Sequence, residues 1–257
     1  MLGAIAGDII GSSYEWSPIK TKNFELFSKD SDFTDDTVLT IATADALLNG
    51  KSYLEVYKKY PDEFYNRGYG DNFAKWASSE QAEPYNSFGN GSAMRVSPIG
   101  WFFDDVDKVL EEAKKSAEAT HNHPEGVKGA QAVALAILLA RKDIDKVAIK
   151  KEIQKRFQYD LNRTLEEIRP IYKFDVTCQG SVPEALIAFL ESIDYEDSVR
   201  NAVSLGGDSD TQACIAGSVA EAYYGTIPDF IVYEALKRLD TKLSQILRKF
   251  VEVAGQK

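Results

Sequence analysis

The chain has 257 residues, and its 30 Lys and Arg face 40 Asp and Glu, a formal net charge of −10. It lacks the concentrated cations that grip nucleic acid through its phosphates or dock on anionic lipid, so neither is an expected partner. With 44% hydrophobic and 27% charged residues it has an ordinary globular composition, and a chain of this length buries about 73% of its unfolded surface.

In chain order, Met1 to Asp8 carries no basic n-region and reaches an acid before a signal core could form. No apolar run approaches the roughly 18 residues of a membrane span, so a cytoplasmic location is expected. Gly3, Gly7 and Gly11 recur every fourth residue, a bare stripe on a helix where another backbone can come close. On the same predicted helix Asp8, Ser12 and Glu15 fall at i, i+4 and i+7 and share a face. Taken alone, that face is a solvated one opposite the glycines. The next predicted helix, Thr34 to Leu48, aligns Val38, Ile41, Ala42 and Leu48 and opens with Thr34-Asp35-Asp36. Asp30, Asp32 and Thr34 begin like an EF-hand, but the sixth position is Asp35 where Gly is needed and the twelfth is Ile41 where Glu is needed.

Pro61 to Pro98 is the least helical stretch, and its Gly, Pro, Asn and aromatic content marks loops able to line a site. Within it Gly89-Asn90-Gly91-Ser92-Ala93-Met94-Arg95 is a turn running into a helix, with free amides and a hydroxyl that can cradle a phosphate. It lacks the Gly-Lys-Ser/Thr ending of a Walker loop, and no strand precedes it as in a dinucleotide fingerprint. Asp105 to Ala119 is a further predicted helix. Thr120-His121-Asn122-His123 then sits before Pro124, at the positive end of a helix reaching Arg141 that aligns Val127, Ala130, Ala134, Ile137 and Leu138. That position keeps an imidazole neutral, with capping as its simplest use. Helices are also expected at Ile144 to Phe157, Val182 to Ser192, Asp197 to Ser204, Thr211 to Tyr224 and Leu239 to Val253. Cys178 and Cys214 have no CxxC spacing and read as reduced structural thiols. The expected fold is all-α, one compact domain over 1–257, with no linker or repeat dividing it.

Two helix starts carry more acid than capping needs. Thr34-Asp35-Asp36 and, after the Gly206-Gly207 turn, Asp208-Ser209-Asp210-Thr211 each resemble an ordinary N-cap. One side-chain oxygen per helix suffices for that purpose. Together they offer four carboxylates and two threonine hydroxyls, a set of hard oxygens suited to Mg²⁺, Mn²⁺ or Ca²⁺ rather than zinc, with an Asp able to bridge a pair of ions.

Four blocks, Gly3-Ala4-Ile5-Ala6-Gly7-Asp8 running to Glu15, Thr34-Asp35-Asp36-Thr37, Gly89 to Arg95 and Gly206 to Thr211, stand in an order and spacing that resemble the ADP-ribosylglycohydrolase family over nearly the whole chain. Thr120-His121 falls between the third and fourth, and Cys178 to Glu184 resembles the family's bacterial branch. The resemblance implies an all-α fold with a central cleft holding two Mg²⁺ or Mn²⁺ ions. By analogy Thr34, Asp35, Asp36, Asp208, Asp210 and Thr211 are the metal ligands, with Asp210 the bridge. Glu15 lies beside the metals, Asn90, Gly91 and Ser92 hold a diphosphate, and His121 contacts the substrate nearby.

The implied reaction is hydrolysis at C1″ of ADP-ribose attached through N or O to a protein or small molecule, with paired cations holding the ribose hydroxyls and activating water. Glu15 or Asp36 then serves as general acid/base. Two alternatives stand beside it: a metal-dependent phosphohydrolase, which a two-ion oxygen site serves equally well, and a non-catalytic family member, which the intact acid set disfavours. Tyr69, Tyr85, Phe88, Tyr223 and Tyr224 are candidates to stack on adenine.

Overall fold

The computed structural model describes residues 1–80 and 83–255, and among these every regular element is helical. In chain order the helices are α1 (Leu2–Ser12), α2 (Asp35–Asn49), α3 (Tyr53–Glu63), α4 (Asp71–Ala77), α5 (Gly91–Met94), α6 (Ser97–Phe102), α7 (Val106–Glu118) and α8 (Pro124–Arg141). They continue with α9 (Lys146–Phe157), α10 (Leu165–Ile168), α11 (Cys178–Leu190), α12 (Tyr195–Val203), α13 (Ser209–Tyr224), α14 (Asp229–Arg238) and α15 (Thr241–Ala254). The only β-type pairing among the described residues is one antiparallel bridge between Gly89 and Thr177.

Two helices form the centre because they are apolar or small on nearly every side, a pattern that leaves no solvated face. α13 is buried from Ser209 to Ala220 and packs on α1, α8, α11 and α12. α8, buried from Ala132 to Leu138, packs on α5, α6, α7 and α9 as well as on α13. Among the described residues no helix is long and apolar enough to cross a membrane.

The glycine stripe of α1 lies directly on α13. A Cβ at Gly3 would stand 2.5 Å from the carbonyl oxygen of Gly217, one at Gly7 2.1 Å from that of Ala213, and one at Gly11 2.3 Å from that of Ser209. Those distances leave no room for a methyl group against a fixed backbone. Tyr195 Oη donates to Gly3 O at 2.8 Å and Ser209 Oγ to Gly11 O at 2.9 Å, pinning the two ends of the contact. This close approach carries Asp8 of α1 into the same buried region as Asp210 of α13.

Several expected elements differ at their edges for local reasons. α1 stops at Ser12 and Tyr14 N–H donates to Gly11 O, so Glu15 sits on the turn beyond the helix rather than on one helical face with Asp8. Asp8 is fully buried, not part of a solvated face. α11 starts at Cys178, four residues before the expected Val182, because the Thr177 hydroxyl accepts from Gly180 N–H and caps it; Pro183 is accommodated inside. Pro61 to Pro98 holds α4, α5 and the end of α3 in addition to its loops. α3, α6, α10 and α14 were not expected; α3 carries Pro61 in its last turn, which masks its periodicity.

Gly7→Ala should overpack the α1–α13 contact by about 2 kcal/mol or more, because the obstacle is main chain. A melting temperature about 5 °C or more below wild type in a thermal scan is the expected result. An unchanged melting temperature would show that α1 shifts freely.

Candidate active site

The site is built where three helix starts and one turn meet. Thr34 caps α2, its hydroxyl accepting from Asp36 N–H at 3.2 Å. Asp8 then acts as a second cap from another helix. Its carboxylate accepts from Thr34 N–H at 3.0 Å, Thr34 Oγ1 at 2.7 Å, Thr37 N–H at 3.1 Å and the Thr37 hydroxyl. With the first-turn amides of α2 satisfied in this way, Asp35 and Asp36 are released from capping.

At α13, Gly206 takes a left-handed backbone (φ +64°) that turns the chain into the helix. Asp208 is its N-cap residue yet makes no capping bond; instead its carboxylate accepts from Asn90 Nδ2 at 2.7 Å. Thr211 Oγ1 donates to Asp36 Oδ2 at 3.1 Å, which links the two acidic helix starts.

Oxygens of Asp8, Asp36 and Asp210 all lie within 4.8 Å of one another, and so do those of Glu15, Asp208 and Asp210. Asp210 belongs to both groups. Among the described residues none of these carboxylates, nor that of Asp35, forms an ion pair with Lys or Arg. Burial, followed by the charge of Asp210, pushes Asp35 and Asp36 well above the usual carboxylate range, and burial with the charge of Asp208 does the same to Asp210. Burial lifts Asp8 and Asp208 to about 6, against the pull of their hydrogen bonds, and burial with the charge of Asp210 lifts Glu15 to about 7.

One atom sharpens the case for a cation. Asp36 Oδ1 is buried and has no hydrogen-bond partner among the described residues, a state that calls for a proton or an ion. The donors are all oxygen, and the nearby Cys214 thiol is engaged on Met94 O at 3.3 Å, so the set fits a hard divalent ion.

Glu15, Asp35, Asp36, Asp208 and Asp210, but not Asp8, line a cleft of about 360 Å³ together with Tyr85, Asn90, Gly91 and His121. The Gly89–Ser92 turn is held from behind. Asn90 N–H donates to Val176 O at 2.8 Å, and Ser92 Oγ donates to Gly126 O at 2.7 Å. Ser92 is thus fully buried with its hydroxyl engaged on α8, and it is not among the residues that line the cleft. Thr34 likewise spends its hydroxyl on Asp8.

The two histidines part company. His123 caps α8, accepting from Glu125 N–H at 3.1 Å, whereas His121 is buried against the cleft, its pKa pressed well below normal by burial and then by Arg95. Of the five aromatic candidates only Tyr85 lines the cleft: Phe88 packs on His123, Tyr69 Oη donates to Phe64 O, and Tyr223 and Tyr224 surround Lys146. Asp8 and Arg95 had no assigned role in the sequence reading although both stand in its motifs. The glycine stripe at positions 3, 7 and 11, with Asp8 next to Gly7, was the available signal for its burial.

A pH dependence follows. In cation-free protein these carboxyls keep protons in the native state that the unfolded chain releases above about pH 4. Stability should therefore be highest on the acid side and fall as pH rises through about 6 to 7, where Asp8, Asp208 and Glu15 ionise. Differential scanning fluorimetry of chelator-treated protein should show that decline, and Mg²⁺ or Mn²⁺ should raise the melting temperature more at pH 7.5 than at pH 5. A flat profile indifferent to cation would contradict the electrostatics described.

A profile of the ADP-ribosylglycohydrolase family matches residues 1–257. Human ADP-ribosylhydrolase ARH3 is 26% identical over 310 aligned residues, which cover 88% of this chain and 84% of that protein. A protein of Archaeoglobus fulgidus is 26% identical over 297 residues, covering 98% of this chain and 97% of its own length. The putative ADP-ribosyl glycohydrolase L543 of Acanthamoeba polyphaga mimivirus is 26% identical over 288 residues, covering 89% and 87%. A solved structure titled "ADP-ribosylglycohydrolase-related protein complex" superposes with a TM-score of 0.75 at 23% identity, covering 98% of this chain and 97% of that one, a likeness of fold.

Proposed function

The chain belongs to the ADP-ribosylglycohydrolase family of glycosidic-bond hydrolases, and from that premise we propose that it cleaves the bond at C1″ of ADP-ribose joined through N or O to a protein side chain or small molecule, releasing ADP-ribose. The observation that carries this reading is the pair of acid groups sharing Asp210, without a Lys or Arg partner, at one cleft with the Gly89–Ser92 turn.

Thr34, Asp35, Asp36, Asp208, Asp210 and Thr211 are the residues that would hold two divalent cations, Mg²⁺ or Mn²⁺, with Asp210 shared. Cations bound there supply charge that holds vicinal ribose hydroxyls and makes water more acidic. The chain's own groups do the remainder. Asn90 fixes Asp208 through its amide and so joins the acid groups to the turn. Gly91 and His121 offer a surface for the diphosphate, and Tyr85 offers a ring face for adenine. The net charge of −10 does not oppose such an anion, because the local field at the turn is set by amides and by whatever cation the acids hold.

For proton transfer Glu15 is better suited than Asp36. It lines the cleft on a turn, only partly covered, and its carboxyl is lifted to about 7, near the operating pH of a general acid/base. Asp36 is buried, and its Oδ2 already accepts from Thr211, an arrangement suited to ligation. Departure of the acceptor builds oxocarbenium character at C1″, which a neighbouring carboxylate stabilises.

A panel of ADP-ribosylated proteins and small molecules, incubated with and without chelator, tests the reading. Mass spectrometry should find free ADP-ribose from at least one substrate, lost on chelation. Asp210→Asn should lower that rate by about 100-fold or more, since losing even an outer-shell partner of a metal site costs about 10–100-fold. Its helical circular dichroism should stay near wild type. Release of inorganic phosphate from a phosphoester in place of ADP-ribose would favour a phosphohydrolase, and full activity in Asp210→Asn would remove it from the ligand set.

A further inference from the structure

Among the described residues Arg95 is the largest fully buried side chain, and no carboxylate there forms an ion pair with it. Its guanidinium lies 3.9 Å over the Tyr57 ring, its Nε and Nη1 have no hydrogen-bond partner among the described residues, and its Nη2 donates to Ser116 O at 3.0 Å and to Thr120 Oγ1 at 2.8 Å. The same Thr120 oxygen is 2.7 Å from His121 Nδ1. The other ring nitrogen, Nε2, has no protein partner among the described residues. It faces the turn, 3.2 Å from where a Cβ at Gly91 would stand and 3.5 Å from that of Gly89.

A hydroxyl has one proton to give. Thr120 is fully buried, and apart from His121 Nδ1 its hydroxyl has no acceptor among the described residues. Were Nδ1 protonated, the Thr120 oxygen would receive two donors, from Arg95 and His121, and its own buried proton would be left unpaired, at the cost of an unsatisfied group. With the Thr120 proton donated to Nδ1, the hydroxyl and Nδ1 are both satisfied and the ring proton of the neutral imidazole sits on Nε2. We infer that Arg95 and Thr120 are positioning residues that fix His121 as the neutral Nε2–H tautomer and present that N–H to the cleft as a donor for an anionic oxygen of the substrate.

The arrangement explains why a cation is buried behind a neutral imidazole. Arg95 orients the hydroxyl by occupying its lone pair, and its charge opposes a second proton on the ring, so His121 donates through a single nitrogen across the neutral pH range. The substrate half of this inference rests on the ADP-ribosyl reading above; the tautomer does not.

The test uses the full chain labelled with ¹⁵N-histidine and two-bond ¹H–¹⁵N correlation, which distinguishes protonated from bare ring nitrogens. With only two histidines present, His123→Gln assigns the spectrum. Wild type should show Nε2 protonated and Nδ1 bare from pH 6 to 8. Thr120→Val should move His121 toward the Nδ1–H form and weaken calorimetric binding of ADP-ribose, measured with Mg²⁺ present, by about tenfold or more; Thr120→Ser should restore both. A wild-type His121 protonated at Nδ1 overturns the proposal without recourse to any variant, as does a folded Thr120→Val whose tautomer is unchanged. A moved tautomer with unchanged ADP-ribose affinity removes the role in binding. Absence of ADP-ribose binding to wild type would fall on the functional reading and leave the tautomer standing.

Discussion

Mutual repulsion among buried carboxylates is the constraint around which this molecule is arranged. Oxygens no more than 4.8 Å apart repel, when both groups are ionised, by about 3 kcal/mol or more per pair even at an effective dielectric constant of about 20. Several such pairs would rival the about 5–15 kcal/mol that holds a domain folded. The protein therefore needs protons or cations in that region. Asp8 is stabilised by its four hydrogen bonds from Thr34 and Thr37, and Asp208 by Asn90. Asp36 has an oxygen with no hydrogen-bond partner among the described residues. The partition is orderly: acids that hold the scaffold are hydrogen-bonded by it, and the acid left open points to chemistry.

The fold maintains this crowding through contacts that cannot relax by side-chain motion. α1 and α13 meet along main chain, because glycine at positions 3, 7 and 11 removes every atom that could act as a spacer. The Thr211 bond to Asp36 then ties α13 to α2. A few tenths of an ångström lost at Gly7 would be felt at Asp8 and Asp210 together, so a packing feature far from any substrate sets the geometry of the acids. The Gly89–Ser92 turn is secured in a similar way, by Gly126 O on α8 and by Val176 O.

Much of this was legible in the sequence where one local rule sufficed. The run from Pro124 to Arg141 appears with the bounds that periodicity and an N-terminal proline predict, and the all-helical class follows from the same signal. Both acidic helix starts were recognisable because they hold more carboxylate than capping uses. What escaped depended on tertiary partners. Asp8 reads as a surface acid until α13 covers it. Glu15 reads as helical because nothing in its residue type announces that α1 ends at Ser12. Ser92 carries an available hydroxyl in the sequence, yet the nearest acceptor in space is a carbonyl 34 residues away, on Gly126. The division of His121 from His123 is of the same kind, one side chain closing a helix and the other reaching a cleft that exists only after folding.

The central claim is that the acids converge to bind divalent cations, and calorimetric titration of chelator-treated protein with Mn²⁺ at neutral pH addresses it most directly. The account predicts saturable binding near two ions per chain, with protons released as the raised carboxyls give them up, and loss of tight binding in Asp210→Asn. No saturable uptake, or uptake indifferent to that substitution and without proton release, would contradict it.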